Sequence, residues 1–562
     1  MDQSLTDYLG VSIRPFELFR PRLDGLGQMA AATPDEVQIC ASKPDKSQQN
    51  QDSSSDNPSQ TYRIPFYIMA YTLASWLGRL FDAGKSLLPL QGNYINALLE
   101  QELPGEREGT LTVRDNRTGS KYTIPIVRNS VPAMGFRQIC VDRAGKSPRQ
   151  QFEDGLRLID PGYRNTAVKM SSITYINGNE GVILYRGHPL ASLIGKSYEE
   201  ITHLLIWGSL PTPEERLRFQ RRIAEAMMVV PENVKQLVAT FPRNTPPMVI
   251  LCAVLTGYLA DQPELIPAHA GANLYNRRPE MVDEQIIRTL AVTAIAGSIA
   301  HCHMKGEELR AADPNLSYIE NILWMGRYVD NNAAITREKA AEILTKAWSL
   351  YADHEMTNST SAFLHVSSSL ADPLSAMAAC CMSGYGLLHG GAIDAAYRGM
   401  REIGGPENVP KLIEKVINKE CRLSGYGHRI YKQVDPRAKY VREMLDELTR
   451  DRDIREMDPV LQVAMEIDRI ASTHEYFVKR NLQANADLYG SFVYTALGID
   501  SQFATVLAAT ARVSGVMAHW KEQTGKFSSL PFLRRRETNE CRTRTGFVAA
   551  TAGVRAELEI GV

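Results

Sequence analysis

The sequence predicts a mainly α protein with a small β-rich N-terminal segment, and three observations carry that prediction. Beyond Gly187, apolar residues recur at three- and four-residue steps through nearly every stretch. Before it, two short stretches alternate apolar and polar residues around turn residues. No Gly-x-Gly-x-x-Gly motif follows a strand and no Gly-x-x-x-x-Gly-Lys-Ser/Thr motif occurs, which excludes Rossmann and P-loop readings.

Taken in order, residues 1–42 are an undiagnosed N-terminal segment. Residues 43–60, KPDKSQQNQDSSSDNPSQ, lack any aliphatic or aromatic side chain and read as a disordered polar linker. Residues 61–108 form an apolar helical extension. Its stretch from Ile64 to Gly84 is interrupted by Thr72, Ser75 and Arg79 and falls short of the ~20 residues of a membrane span. A buried or partner-facing helix is the expectation there, with a membrane anchor as the weaker alternative.

Residues 109–190 make up the β-rich segment. Leu111 to Ile126 reads as a hairpin around Asn116-Arg117-Thr118-Gly119, and a second strand pair breaks at Asn177-Gly178-Asn179. Helices are expected over Ser197–Trp207, Pro213–Met228, Pro246–Leu259, Asp283–Met304, Tyr318–Tyr328, Thr336–His354 and Ala362–Cys381.

Composition narrows the function. Lys+Arg number 63 and Asp+Glu 64, a formal charge of −1, so nothing attracts the chain generally to nucleic acid or anionic membrane. An anionic ligand must be gripped by locally placed arginine or lysine. Eight cysteines form no CxxC pair, which suits reduced thiols. With an N-terminus that has Asp2 and Asp7 before any arginine, cytoplasm is the expected compartment, a mitochondrial one staying open. No histidine or cysteine spacing supports a metal site.

Most of the eleven histidines need no function. Three have distinctive neighbours. His354 lies in YADHEMTNST, His389 in GLLHGGA and His428 in GYGHR. Glycines beside a histidine let backbone or ligand approach closely, and a following helix could offer free N–H groups. A histidine at a helix N-terminus is biased toward the neutral form, which can polarise a carbonyl.

GLLHGGA, GYGHRIYKQVDPRAKY and ANADLYG resemble the three catalytic segments of the citrate synthase family, in the family's order. DPGYRNTA, ILYRGHPL, PNLSYIENILWM, YADHEMTNST and ARVSGVMAHWKEQ extend the resemblance across roughly 109–536. It implies a two-domain helical fold: a large domain over 191–388, a small domain over 389–500, a return to the large domain over 501–536 and an atypical tail over 537–562. It also implies a Claisen-type condensation of an acyl-CoA with oxaloacetate, followed by thioester hydrolysis. No cofactor is implied beyond acyl-CoA as substrate, and a homodimer is.

Carried across by position, Asp487 is the base that removes the α-proton. His389 holds the thioester oxygen, and His428 holds the ketone oxygen of oxaloacetate. His354, Asn358, Arg437, Arg512 and, from the partner subunit, Arg534 correspond to oxaloacetate contacts. Lys432, Gly425 and Gly427 correspond to CoA contacts. Paired guanidinium–carboxylate hydrogen bonds explain why arginine is needed for a dianion.

Tyr351 stands where citrate-forming members carry His, and Leu387 where Pro is common. Ile393-Asp394 replaces the usual Asn-Glu, which favours a 2-alkylcitrate synthase. A catalytically inert homologue acting as an interaction protein is the alternative. An ATP-citrate lyase would need a nucleotide-binding region for which the first 108 residues are too short.

Overall fold

The computed structural model describes residues 108–527, except 128, 161–164, 168, 276–277, 429, 432–433, 451 and 454–457. These residues fall within one compact unit, Pro89–Val562. The expectations for 1–42, 43–60, 61–107 and 537–562 lie outside the described residues, as do Lys432 and Arg534.

The expected hairpin is present. Strands β1 (Gly109–Arg114) and β2 (Lys121–Ile126) pair antiparallel with Leu111 opposite Ile124. The turn is held by Asp115, whose carboxylate accepts the N–H of Arg117 at 3.0 Å, and Gly119 takes a positive φ of 75°. The second pair is β3 (Thr174–Asn177) with β4 (Val182–Tyr185), and the Asn177 side chain accepts the Asn179 N–H across the break. A two-residue strand that the sequence did not reveal, β5 (His188–Pro189), joins β4.

The body is helical: α1 (Tyr198–Trp207), α2 (Pro213–Met227), α3 (Glu232–Ala239), α4 (Pro247–Gly257), α5 (Pro279–Lys305), α6 (Tyr318–Met325) and α7 (Arg337–Tyr351). There follow α8 (Asn358–Ser367), α9 (Pro373–Gly384), α10 (Gly391–Ile403), α11 (Val409–Ile417), α12 (Ala438–Thr449), α13 (Pro459–Ala471), α14 (Ala486–Ala496) and α15 (Ala504–Phe527). Ser197, Thr212 and Ser317 start α1, α2 and α6 through reciprocal capping with Glu200, Glu215 and Glu320.

Two expectations are corrected. The helix expected over Ala362–Cys381 is two helices, because Pro373 has no N–H to continue a helix and Asp372 caps a new one by accepting the Ser375 N–H. The helix expected to reach His354 ends at Tyr351, and Glu355 adopts a left-handed φ of 57°.

Helix α5 is the central pillar, packed by α2, α4 and α15. It is long and apolar enough to cross a membrane, but 94% of its apolar window is buried inside the fold. The site described next forms where three connections converge on α14 and α15: those after α7, before α10 and before α12.

Candidate active site

The His428 connection is fixed by backbone. Gly425 and Gly427 both hold φ of 79°, and a Cβ at Gly425 would stand 2.8 Å from the Cα of Leu488. That contact brings the connection onto the residues leading into α14. The Gly427 N–H donates to the Gln483 carbonyl at 2.8 Å, the Asn485 N–H to Gly425 at 2.9 Å and the Asn485 amide to Gly427 at 2.8 Å. The two glycines, expected at a CoA contact, thus already have a reason in this docking.

His428 Nδ1 accepts the N–H groups of Ile430 and Tyr431 at 3.1 and 3.3 Å. Those bonds assign the proton of the neutral ring to Nε2. Burial, and then the positive charge of Arg437, bring its pKa down to about 4. His354 lies alongside, its ring 5.9 Å from that of His428 and its Nε2 2.8 Å from the Tyr431 hydroxyl. Burial, Arg437 and Arg512 hold it well below the ordinary histidine range.

His389 immediately precedes Gly390, the N-cap of α10. Its Nε2 accepts the Ser359 N–H at 3.3 Å and lies 2.8 Å from the Ser359 hydroxyl. Here the proton of the neutral ring falls on Nδ1, the opposite tautomer to His428. Burial and then Arg512 lower this pKa to about 4. Neighbouring Gly391 admits the chain reversal, since a Cβ there would lie 2.3 Å from the Tyr385 carbonyl oxygen. Asn358 is exposed, and its side chain accepts from the Ser383 hydroxyl.

Asp487 occupies the first turn of α14, where its N–H donates to the N-cap side chain of Asn485 at 2.9 Å. Burial raises its carboxyl above the usual value; Arg437 and Arg512 oppose that rise and Asp435 reinforces it. An N-terminal turn ordinarily favours a carboxylate. The raised value reflects a carboxyl held in a desolvated place.

Arg437 is buried and doubly bound by Asp435, Nε to Oδ1 at 3.0 Å and Nη2 to Oδ2 at 2.7 Å. Asp435 also accepts the Ala486 N–H at 3.2 Å, which ties the connection to the start of α14. Two of the guanidinium nitrogens expected for oxaloacetate are thus already engaged. The charge of Arg437 still acts on His354, His428 and Asp487. Arg512, on α15, donates from Nε to the Tyr351 carbonyl at 2.6 Å, and its charge reaches His354, His389 and Asp487.

Sequence reasoning did not single out Ser359, Tyr431 or Asp435. Ser359 is the hydroxyl two residues into the first turn of α8, and Tyr431 the aromatic residue three after His428. The three departures separate in space. Tyr351 is buried beneath α14, its hydroxyl 3.5 Å from the Ala486 carbonyl and its ring beside Arg437. Ile393 is core, packed where the Ser491 hydroxyl donates to its carbonyl. Of the three, only Leu387 opens to solvent, at 69% exposure, next to Leu388 at 87%.

A family model described as "Citrate synthase, C-terminal domain" matches residues 162–534. A citrate synthase-like protein, oryE, of Aspergillus oryzae is 42% identical over 76% of this chain and 94% of its own length. An alkylcitrate synthase, phiJ, of a fungal species is 37% identical over 75% of this chain and 91% of its own. Among solved structures, citrate synthase from Thermoplasma acidophilum, in a ternary complex with carboxymethyl coenzyme A and oxaloacetate, superposes with a TM-score of 0.56. It is 27% identical, over 64% of this chain and 91% of that one. This chain belongs to the citrate synthase family.

Proposed function

We propose that this enzyme condenses an acyl-CoA with oxaloacetate and hydrolyses the thioester, giving a 2-alkylcitrate and free CoA. Asp487 takes the proton α to the thioester while His389 donates a hydrogen bond from Nδ1 to the thioester oxygen. The resulting enolate attacks the ketone carbon of oxaloacetate, whose oxygen is held by the Nε2–H of His428 as it becomes an alkoxide and ends as the hydroxyl with the proton that Asp487 took up. Water cleaves the citryl thioester, and CoA leaves as the thiol. A thioester α-proton is far too weakly acidic for a carboxylate alone at pH 7, so base and donor must act together.

The observation that supports this reading is the pair of opposite histidine tautomers, each set by backbone N–H groups that donate to one ring nitrogen and leave the proton on the other. Both rings present a fixed N–H while staying neutral, as stabilising two successive oxyanions requires. His354, Arg437, Arg512 and Asn358 then serve oxaloacetate, with Arg534 from the partner subunit. Lys432, with the Gly425–Gly427 backbone, serves CoA. The relative named as an alkylcitrate synthase and the exposed Leu387 and Leu388 support an acyl chain longer than acetyl.

The segments 191–388 and 389–500 act as large and small domains that close over oxaloacetate and exclude water. A homodimer completes the site; exposed Met134, Leu158 and Ile159 support an apolar contact between copies. We assign the enzyme to the cytoplasm; the free Cys140, Cys252, Cys302, Cys380, Cys381 and Cys421 fit a reducing compartment. Two plant relatives are named glyoxysomal and peroxisomal.

The test is thiol release by the pure protein from acetyl-, propionyl- and hexanoyl-CoA, with and without oxaloacetate. Oxaloacetate-dependent release is expected. An inert homologue would release none with any of the three.

A further inference from the structure

The segment carrying His354 is fastened to one face of α15 by more than Arg512. The Gly515 N–H donates to the Ala352 carbonyl at 3.1 Å and the Ser514 hydroxyl to the same oxygen at 3.4 Å. Asp353 is fully buried, and its Oδ2 accepts the Glu355 N–H at 3.0 Å. His519 is equally buried, and its Nε2 lies 3.3 and 3.4 Å from the two carboxylate oxygens of Asp353. Positions 512, 515 and 519 are three and four residues apart, so they form one stripe on α15. A Cβ at Gly515 would stand 2.3 Å from Asp353 Oδ1, so the helix accepts the carboxylate there only because that residue has no side chain.

Burying a carboxylate and an imidazole is expensive and is poor evidence for added stability. Neither group takes part in the condensation derived above. What they do hold is the left-handed turn at Glu355, whose own carboxylate accepts the Ile176 N–H at 3.0 Å. His354 sits between the two anchored residues.

We infer that Asp353 is a positioning residue which, with Gly515 and His519, locks residues 352–355 onto α15 and thereby sets His354 and Arg512 in register for the keto acid. The inference rests on the function proposed above, which assigns those two side chains to oxaloacetate. Its signature is selective: loosening the lock harms recognition of oxaloacetate and spares recognition of acyl-CoA.

The test uses the full chain and the variants Asp353→Asn, Gly515→Ala and His519→Gln. Asn removes the charge, Ala displaces the carboxylate without removing it, and Gln retains an amide donor. Asp353→Asn and Gly515→Ala are each expected to raise the oxaloacetate KM about tenfold or more, with the acyl-CoA KM within about twofold. His519→Gln should raise the oxaloacetate KM by less than about threefold. KM does not depend on the fraction of chains that fold, and Gly515→Ala carries the test if Asp353→Asn yields no soluble protein. An unchanged oxaloacetate KM, or a parallel rise in both constants, overturns the inference. Calorimetric titration of oxaloacetate into wild type and variants gives the same comparison without turnover. A wild type that binds oxaloacetate yet releases no thiol therefore defeats the proposed function and leaves this inference to be judged by the titration alone.

Discussion

Replacing Asp487 by Asn keeps the shape of the side chain and removes its capacity to accept a proton. The expected result is a fall in kcat of ~10²–10⁴-fold with oxaloacetate affinity preserved by calorimetry. Retention of more than about a tenth of kcat would contradict the assignment. The two histidines make a spectroscopic prediction. With pKa values of about 4, His389 and His428 stay neutral at pH 5.5, where a free histidine is mostly charged. Nitrogen-15 spectra of histidine-labelled protein should show one Nδ1–H and one Nε2–H ring among the neutral signals, and imidazolium signals from either would refute the tautomers. His389 and His428 were legible from the glycines beside them, and Asp487 only from the resemblance of ANADLYG to a family segment. Ser359 and Asp435 were not. The Ser359–His389 contact joins residues 30 apart, and an Asp two positions before an Arg occurs on many surfaces without such pairing.

At the scale of elements, the Gly425–Gly427 connection and the start of α14 behave as one piece. Gly425→Ala forces a left-handed φ on a residue with a side chain and pushes its Cβ into Leu488. A loss of ~1–3 kcal/mol is expected in denaturant titration. A lower kcat should accompany it, because His428 and Asp487 move apart. A variant with wild-type stability would show that this backbone contact is not tight. Helix positions were readable from apolar period. Where the period ran through a breaker, as at Asp372-Pro373, it joined two helices into one. Apolar spacing reports which face is buried and says little about where the backbone turns. A two-residue strand such as β5 is too short to show any alternation.

For the whole molecule, buried titratable groups predict how stability changes with pH. His389 and His428 bind a proton at about 4 when folded, against an ordinary value of 6.5. Below pH 6.5 the unfolded chain takes up protons that the folded one refuses, so stability falls as pH drops toward 4. Glu355, raised by burial to about 7, acts in the opposite sense. From pH 4.5 upward the unfolded chain releases a proton that the fold retains, which removes stability until about pH 7. His301, brought by burial to about 4, and His354 shift the same way, and these four histidines outweigh Glu355 and the raised Asp487. Denaturant midpoints are therefore expected to fall steadily from pH 7 to pH 5, and a flat or rising midpoint would contradict that account.

The new carbon–carbon bond between an acyl-CoA and oxaloacetate sets this chemistry apart from simple thioester hydrolysis. The most direct measurement offers an equimolar mixture of acetyl-, propionyl- and hexanoyl-CoA with oxaloacetate and identifies the acids formed by mass spectrometry. Tricarboxylic acids are expected in step with free thiol, with the alkylated products in excess of citrate. One matched methylene in an apolar pocket contributes ~1–3 kcal/mol, or roughly 10–200-fold in selectivity. Citrate in about tenfold excess would remove the alkylcitrate reading, and thiol release without any tricarboxylic acid would contradict the condensation itself.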